Sequence, residues 1–207
     1  MKKYILYSIV CLLFVSFSCS NDAEPDEIQE LSFKVQKGVD FILRSAETIR
    51  KDVEGNRNPL PNFSSQTELD NYLVLVGEQP GSVSLSFFNQ VLGGIGMAKS
   101  EGMQYFLNQS NYSEFAKSTF LTNSDGASVP DLTQLAGFLN LTISEKETVL
   151  LTNLLMNDLP AELRGQGCAV AVIAGTSIGG AICGPPCSIG GAVVGVVVCF
   201  WIKESKQ

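Results

Sequence analysis

The chain contains no histidine. That removes imidazole acid–base catalysis and histidine metal sites, the commonest routes to both chemistries at neutral pH. It also lacks any charged side chain from Gly165 to Ile202, the interval between Arg164 and Lys203. No stretch reads as an alternating strand, and no nucleotide-binding motif is complete. Gly93-Gly94-Ile95-Gly96-Met97-Ala98-Lys99-Ser100 has the outline of a phosphate loop, but Ala98 stands where a glycine must let the backbone wrap the phosphates. Basic residues are scarce as well. Residues 20–164 carry 10 Lys+Arg against 20 Asp+Glu, a balance that opposes electrostatic binding to nucleic acid or an anionic surface.

The sequence begins with Lys2 and Lys3, an apolar run from Ile5 to Phe17, and Ser18-Cys19. A basic start, a short apolar core and small residues at its end make a secretory signal, residues 1–18, too short for an ordinary spanning helix of about 20 residues. Ser16-Phe17-Ser18-Cys19 resembles a bacterial lipobox, with Ser16 in place of the usual Leu and a bulky Phe17. The resemblance implies lipidation of Cys19. The acidic run Asp22 to Glu27 resembles the export signal behind the lipid-bearing cysteine of Bacteroidota surface lipoproteins. Residues 19–25 then form a lipidated tether, and the expected address is the cell envelope, at the outer membrane or cell surface, with membrane lipid as a partner.

Residues 26–164 read as one helical domain, long enough to bury a core. Ile28, Leu31, Val35, Val39, Ile42, Ala46, Ile49 and Val53 step by three or four along a long amphipathic helix. Ser65-Gln66-Thr67-Glu68 is a capping box, as is Ser144-Glu145-Lys146-Glu147, each with a helix behind it. Pro80-Gly81, and Asn157 to Pro160, mark breaks. Helices are expected around Leu85–Ile95, shortened by the glycines at 93–96, at Met103–Leu107, at Tyr112–Phe120 and at Leu132–Leu139. Glu145 and Glu147 are read as caps rather than as a catalytic pair. The aromatics Phe87, Phe88, Tyr105, Phe106, Phe115 and Phe120 are read as core. Asn62, Asn108, Asn111 and Asn140 begin Asn-x-Ser/Thr triplets, coincidental behind a bacterial signal. The expected fold class is all-α: a small helical bundle followed by a glycine-rich apolar helical hairpin.

That hairpin, residues 165–202 ahead of a polar C-terminus at 203–207, holds nine of the 19 glycines and four of the six cysteines. Small residues recur at every fourth position: Gly167, Ala171, Gly175, Gly179, Cys183, Cys187, Gly191, Gly195 and Cys199. Glycine costs about 1 kcal/mol per helical site relative to alanine, so such a face serves close backbone approach. Pro185-Pro186 divides the stretch into two arms of roughly 24 Å. Folding them antiparallel pairs Cys183 with Cys187 beside the turn and Cys168 with Cys199 at the open end, one of three connectivities open to four cysteines. The helix-packing positions are Gly167, Ala171, Gly175, Gly179, Gly191 and Gly195. Val170, Val172, Ile173, Ile178, Ile182, Val193, Val194, Val196 and Val197 would cover the outside, with Trp201 and Lys203 as an interfacial anchor.

Uncharged and β-branched, this hairpin is expected to insert into, or associate within, a membrane, with self-association through the tail left open. Burial in the helical body, or a β-hairpin, are the alternatives. The layout resembles uncharacterised Bacteroidota lipoproteins, and the tail is similar in composition to glycine-zipper segments of bacteriocins. Three functional readings follow: a non-enzymatic envelope lipoprotein with a membrane-active tail; a toxin precursor cleaved near Arg164-Gly165; and a partner-binding surface lipoprotein with its tail buried. None calls for a catalytic residue, a metal or another cofactor.

Overall fold

The computed structural model describes residues 25–56, 63–75, 77 and 79–204. The signal sequence, Cys19 with the tether up to Glu24, and Pro59, Pro61 and Asn62 lie outside them, as do the side chains of Trp201 and Lys203. Everything regular among the described residues is helical.

Helix α1 (Pro25–Asn56) opens with proline at its first position, where no amide is lost. Its three-and-four stepping buries Val35, Val39, Ile42, Ala46 and Ile49 on one face. In α2 (Gln66–Leu75) the amide of Glu68 donates to Ser65 Oγ, but the Glu68 carboxylate reaches one residue further back than a capping box requires, accepting from the amide and hydroxyl of Ser64. Those bonds hold the Glu68 carboxyl below its ordinary range.

Helix α3 (Leu85–Ser100) runs straight through the glycines that were expected to shorten it, capped by Ser84. Gly93 to Ser100 is therefore continuous helix, not a loop around phosphate. Helix α4 (Met103–Asn108) is short, and α5 (Glu114–Ser124) starts behind Ser113 as its spacing predicts. The Leu132–Leu139 stretch is less regular than expected. A 3-10 turn at Leu132–Gln134 and a four-residue helix α6 (Ala136–Leu139) are separated by extended Leu135.

Helix α7 (Ile143–Asp158) begins earlier than the expected box at Ser144. Thr142 is the cap, and Thr142 with Glu145 forms the reciprocal pair. The sequence T-x-x-E two residues upstream forms the box, and Glu147 turns inward. Glu145 also accepts from the amide of Ser113, tying α5 to α7. The loop between α5 and the 3-10 turn is held by Asn153 of α7, which accepts from the amide of Val129 and donates to its carbonyl, while Asn123 donates to Asn153.

The last two helices, α8 (Gln166–Cys183) and α9 (Pro185–Glu204), form an antiparallel hairpin. They lie at the centre of the bundle. Helix α3 packs against both, α7 against both, α1 against α9 and α5 against α8. Of the aromatics expected in the core, Phe88 and Phe120 are buried and Phe87, Phe106 and Phe115 pack against it, whereas Tyr105 is half exposed.

The glycines of α3 differ in surroundings. A β-carbon on Gly93 or Gly96 would meet nothing within 4 Å, while one on Gly94 would overlap Ile178 of α8. Gly93→Ala and Gly96→Ala should each stabilise the chain by about 0.5–1 kcal/mol. Gly94→Ala should gain less, because the end of the Ile178 side chain must turn aside. Urea unfolding of the three variants checks this ordering; equal gains at all three would mean that Ile178 does not occupy the space at Gly94.

The glycine-zipper hairpin as candidate functional site

The turn between α8 and α9 is dictated locally. Gly184 takes a φ of 77°, which closes α8, and Pro185 is the first residue of α9. Backbone meets backbone below this turn. A β-carbon on Gly175 would overlap the carbonyl of Gly191, and the reverse holds for Gly191 against Gly175. One on Gly179 would strike the carbonyl of Cys187, and one on Gly195 the main chain at Ala171 and Val172. Each step of four along α8 thus matches a step of four back along α9. Ala171, Gly175, Gly179, Gly191 and Gly195 all lie on this seam. Gly167 does not: it is exposed, and a β-carbon there meets nothing within 4 Å.

Two cysteine pairs stand at disulfide distance. Cys168 and Cys199 have α-carbons 4.6 Å apart at the open end, and Cys183 and Cys187 are 5.6 Å apart across the turn. The first pair is buried; Cys183 at the tip is exposed.

The outward face of the hairpin is covered by the body. Val172, Ile173, Val193, Val194, Val196 and Val197 are all buried, and Val170 and Ile178 are packed against the core. Val193, Val194 and Val197 sit among Leu69, Leu73, Val83 and Phe88. Gly38 of α1 leaves room for Ile189, whose Cδ1 lies 3.0 Å from where a β-carbon would stand. Ile182, near the tip, is the exception at 46% exposed.

The hairpin carries polar groups without exposing them. Thr176 donates to the carbonyl of Val172 at 2.7 Å and Ser177 to that of Ala174 at 3.0 Å, within their own helix. Ser188 pairs with Thr148 of α7 at 3.1 Å, and Tyr112 donates to the carbonyl of Ser177 at 2.7 Å. Gly180 makes room for this polar seam: its β-carbon would stand 2.6 Å from both Thr148 Oγ1 and Tyr112 Oη. Burial pushes the Tyr112 phenol well above its ordinary value, so it stays a neutral donor.

Two buried side-chain oxygens have no hydrogen-bond partner, Oδ1 of Asn123 and one oxygen of Glu147. Glu147 is 6% exposed; its Oε1 accepts from Lys34 Nζ at 2.6 Å, and its Oε2 has no partner. Sequence reasoning assigned this residue to capping, since a Glu in the first helical turn gives no other local signal. Among the described residues, no group of three or more Cys, Asp or Glu could hold a metal ion, and no helix is long and apolar enough to cross a membrane. No protein-family model, curated protein or solved structure matches the chain.

Gly175→Ala and Gly191→Ala should each destabilise the protein by about 1–3 kcal/mol, because the two backbones must separate. Gly167→Ala should be neutral or stabilising. Loss of Cys168–Cys199, which closes 31 residues, should cost about 4 kcal/mol, and loss of Cys183–Cys187, which closes 4, about 2 kcal/mol. Denaturant midpoints of the paired serine variants measure the difference.

Proposed function

We propose that this protein is a non-enzymatic cell-envelope lipoprotein, held to a membrane by lipid on Cys19, whose helical body binds a partner at the surface while the glycine-zipper hairpin serves as its internal core. The observation that carries the reading is the cover on the hairpin. Helices α1, α3, α5 and α7 surround it, and every residue from Gly190 to Phe200 is buried. A segment so enclosed supplies the apolar surface on which the amphipathic helices fold. The lipobox-like Ser16–Cys19 and the acidic run behind it support the address. Several acyl chains at about 0.8 kcal/mol per buried methylene are enough to hold a body with no insertion of its own. The histidine-free composition supports a role without imidazole chemistry.

A second reading keeps the hairpin as a membrane element that the body sheathes until it is released. What favours it is the combination of 38 uncharged residues with hydroxyls at Thr176 and Ser177 that bond their own helix. Such a hairpin could leave the bundle with those two hydroxyls still bonded within it. Release as a cleaved peptide near Arg164-Gly165 is the toxin-precursor form of the same idea, and it would leave the body without its centre.

Two measurements separate these readings. In membrane fractionation, Cys19→Ala should move the full chain into the soluble fraction, with residues 165–202 protected from protease. Retention in the membrane without lipid would instead support the inserted hairpin. Deleting residues 165–207 should abolish cooperative thermal unfolding of the body; a truncated body that still melts sharply would show that the hairpin is not its core.

A further inference from the structure

The two cysteine pairs lie in opposite surroundings. Between Cys168 and Phe200 the exposed residues are Ala181, Ile182, Cys183 and Pro186, all at the turn of the hairpin. The body that covers the rest of α8 and α9 stops short of this tip. Cys168 and Cys199, at the other end, are 5% and 1% exposed. A thiolate from outside therefore reaches Cys183 in the folded protein, while Cys168–Cys199 is out of reach until the bundle opens.

The tip pair adds little that the turn lacks. Gly184 at a φ of 77° and Pro185-Pro186 already shape it, and the amides of Gly184 and Ser188 donate to the carbonyls of Gly180 and Gly184. Cys168–Cys199 closes 31 residues and the tip pair 4, so the longer bridge holds the two arms together in either state of the shorter one.

The two sulfurs at the tip are not equivalent. Cys183 is exposed and is the last residue of α8, at the negative end of that helix dipole. Cys187 is half-buried and third in α9, at the positive end of a 20-residue helix. Pro185 and Pro186 have no amide hydrogen, so the first N–H of α9 is that of Cys187 itself. A thiolate is stabilised at a helix start and disfavoured at a helix end. Access and leaving-group stability thus select the same direction: attack at Cys183, departure of Cys187.

We propose that Cys183–Cys187 is a thiol–disulfide exchange site that takes two electrons from a dithiol, once per chain. One thiolate of the dithiol attacks Cys183 Sγ; the bond between the two cysteines breaks, and Cys187 leaves as a thiolate. The second thiolate of the dithiol then attacks its own partner sulfur in the mixed disulfide, closes the dithiol's disulfide and releases Cys183 as a thiolate. The dithiol is oxidised, the tip is reduced, and the two protons of the dithiol end on Cys183 and Cys187 or in solvent. The transfer needs neither lipid at Cys19 nor a surface partner of the body.

The test uses the full chain carrying Cys11→Ala and Cys19→Ala, which keeps the four hairpin cysteines, in native buffer with dithiothreitol. Alkylation at acid pH and peptide mass mapping should find Cys183 and Cys187 reduced while Cys168–Cys199 is intact and the thermal melt is still cooperative. The reaction should be about tenfold faster than that of dithiothreitol with oxidised glutathione, a disulfide with no polarised leaving group. With glutathione, a monothiol, in place of the dithiol, the trapped adduct should sit on Cys183. Thiolate absorbance should place Cys187 of a Cys183→Ser variant below the ordinary thiol value of about 8.5, and Cys183 of a Cys187→Ser variant at or above it. Should either serine variant not fold, the glutathione adduct reads the same direction on the unmutated hairpin. Opening of both bridges together, a rate no faster than that of oxidised glutathione, an adduct on Cys187, or equal titration of the two cysteines would overturn the proposal.

Discussion

Two helix backbones in direct contact set the dimensions of this protein. Gly175 against Gly191, Gly179 against Cys187 and Gly195 against Ala171 leave no room for a side chain between α8 and α9. The hairpin is consequently thin, and four helices of the body can reach it from all sides. The cysteine pairs lie at the two ends of the same seam, so they hold the register that the glycines require. A shift of α9 by one residue would place Val194 or Val196 where Gly195 now meets the main chain of α8.

The body is shaped to this insert as much as the insert to the body. Gly94 clears space for Ile178 and Gly38 for Ile189, each on a helix that otherwise presents larger residues inward. Gly180 does the reverse, giving Tyr112 access to the carbonyl of Ser177 and Thr148 access to the hydroxyl of Ser188. Close packing of this kind transmits strain rather than absorbing it. The hairpin and the sheath are thus one packing unit, although they differ sharply in composition.

A charge-free centre inside an acidic, lysine-poor body also bears on function. The hairpin meets valine, leucine and phenylalanine side chains that resemble lipid in polarity, so the same surface suits a protein core and a bilayer. The polar chemistry lies elsewhere, where α1 and α7 begin. There Lys146 and Glu147 are buried, and Glu147 pairs with Lys34 of α1.

Much of the architecture was legible in the residues. The face of α1, the cap at Ser113 and the break at Pro185 follow from spacing that local chemistry enforces, whereas the pairing of the four cysteines is one of three that the sequence leaves open. The α7 cap was misplaced by two residues because two overlapping boxes, Thr142 with Glu145 and Ser144 with Glu147, satisfy the same rule. Long-range contacts distinguish them: Glu147 turns to Lys34, 113 residues away, and Glu145 takes the amide of Ser113. The glycines of α3 read as helix breakers because nothing local reveals that Gly94 faces Ile178. For the hairpin, a small residue at every fourth position was sufficient to demand backbone contact, since glycine in a helix is otherwise a loss. What covers its outer face was not contained in that pattern. Attraction between apolar surfaces has no direction and little chemical preference, so valines and isoleucines fit acyl chains and leucines alike; only the tertiary packing of α1, α3, α5 and α7 decided between them in this structure.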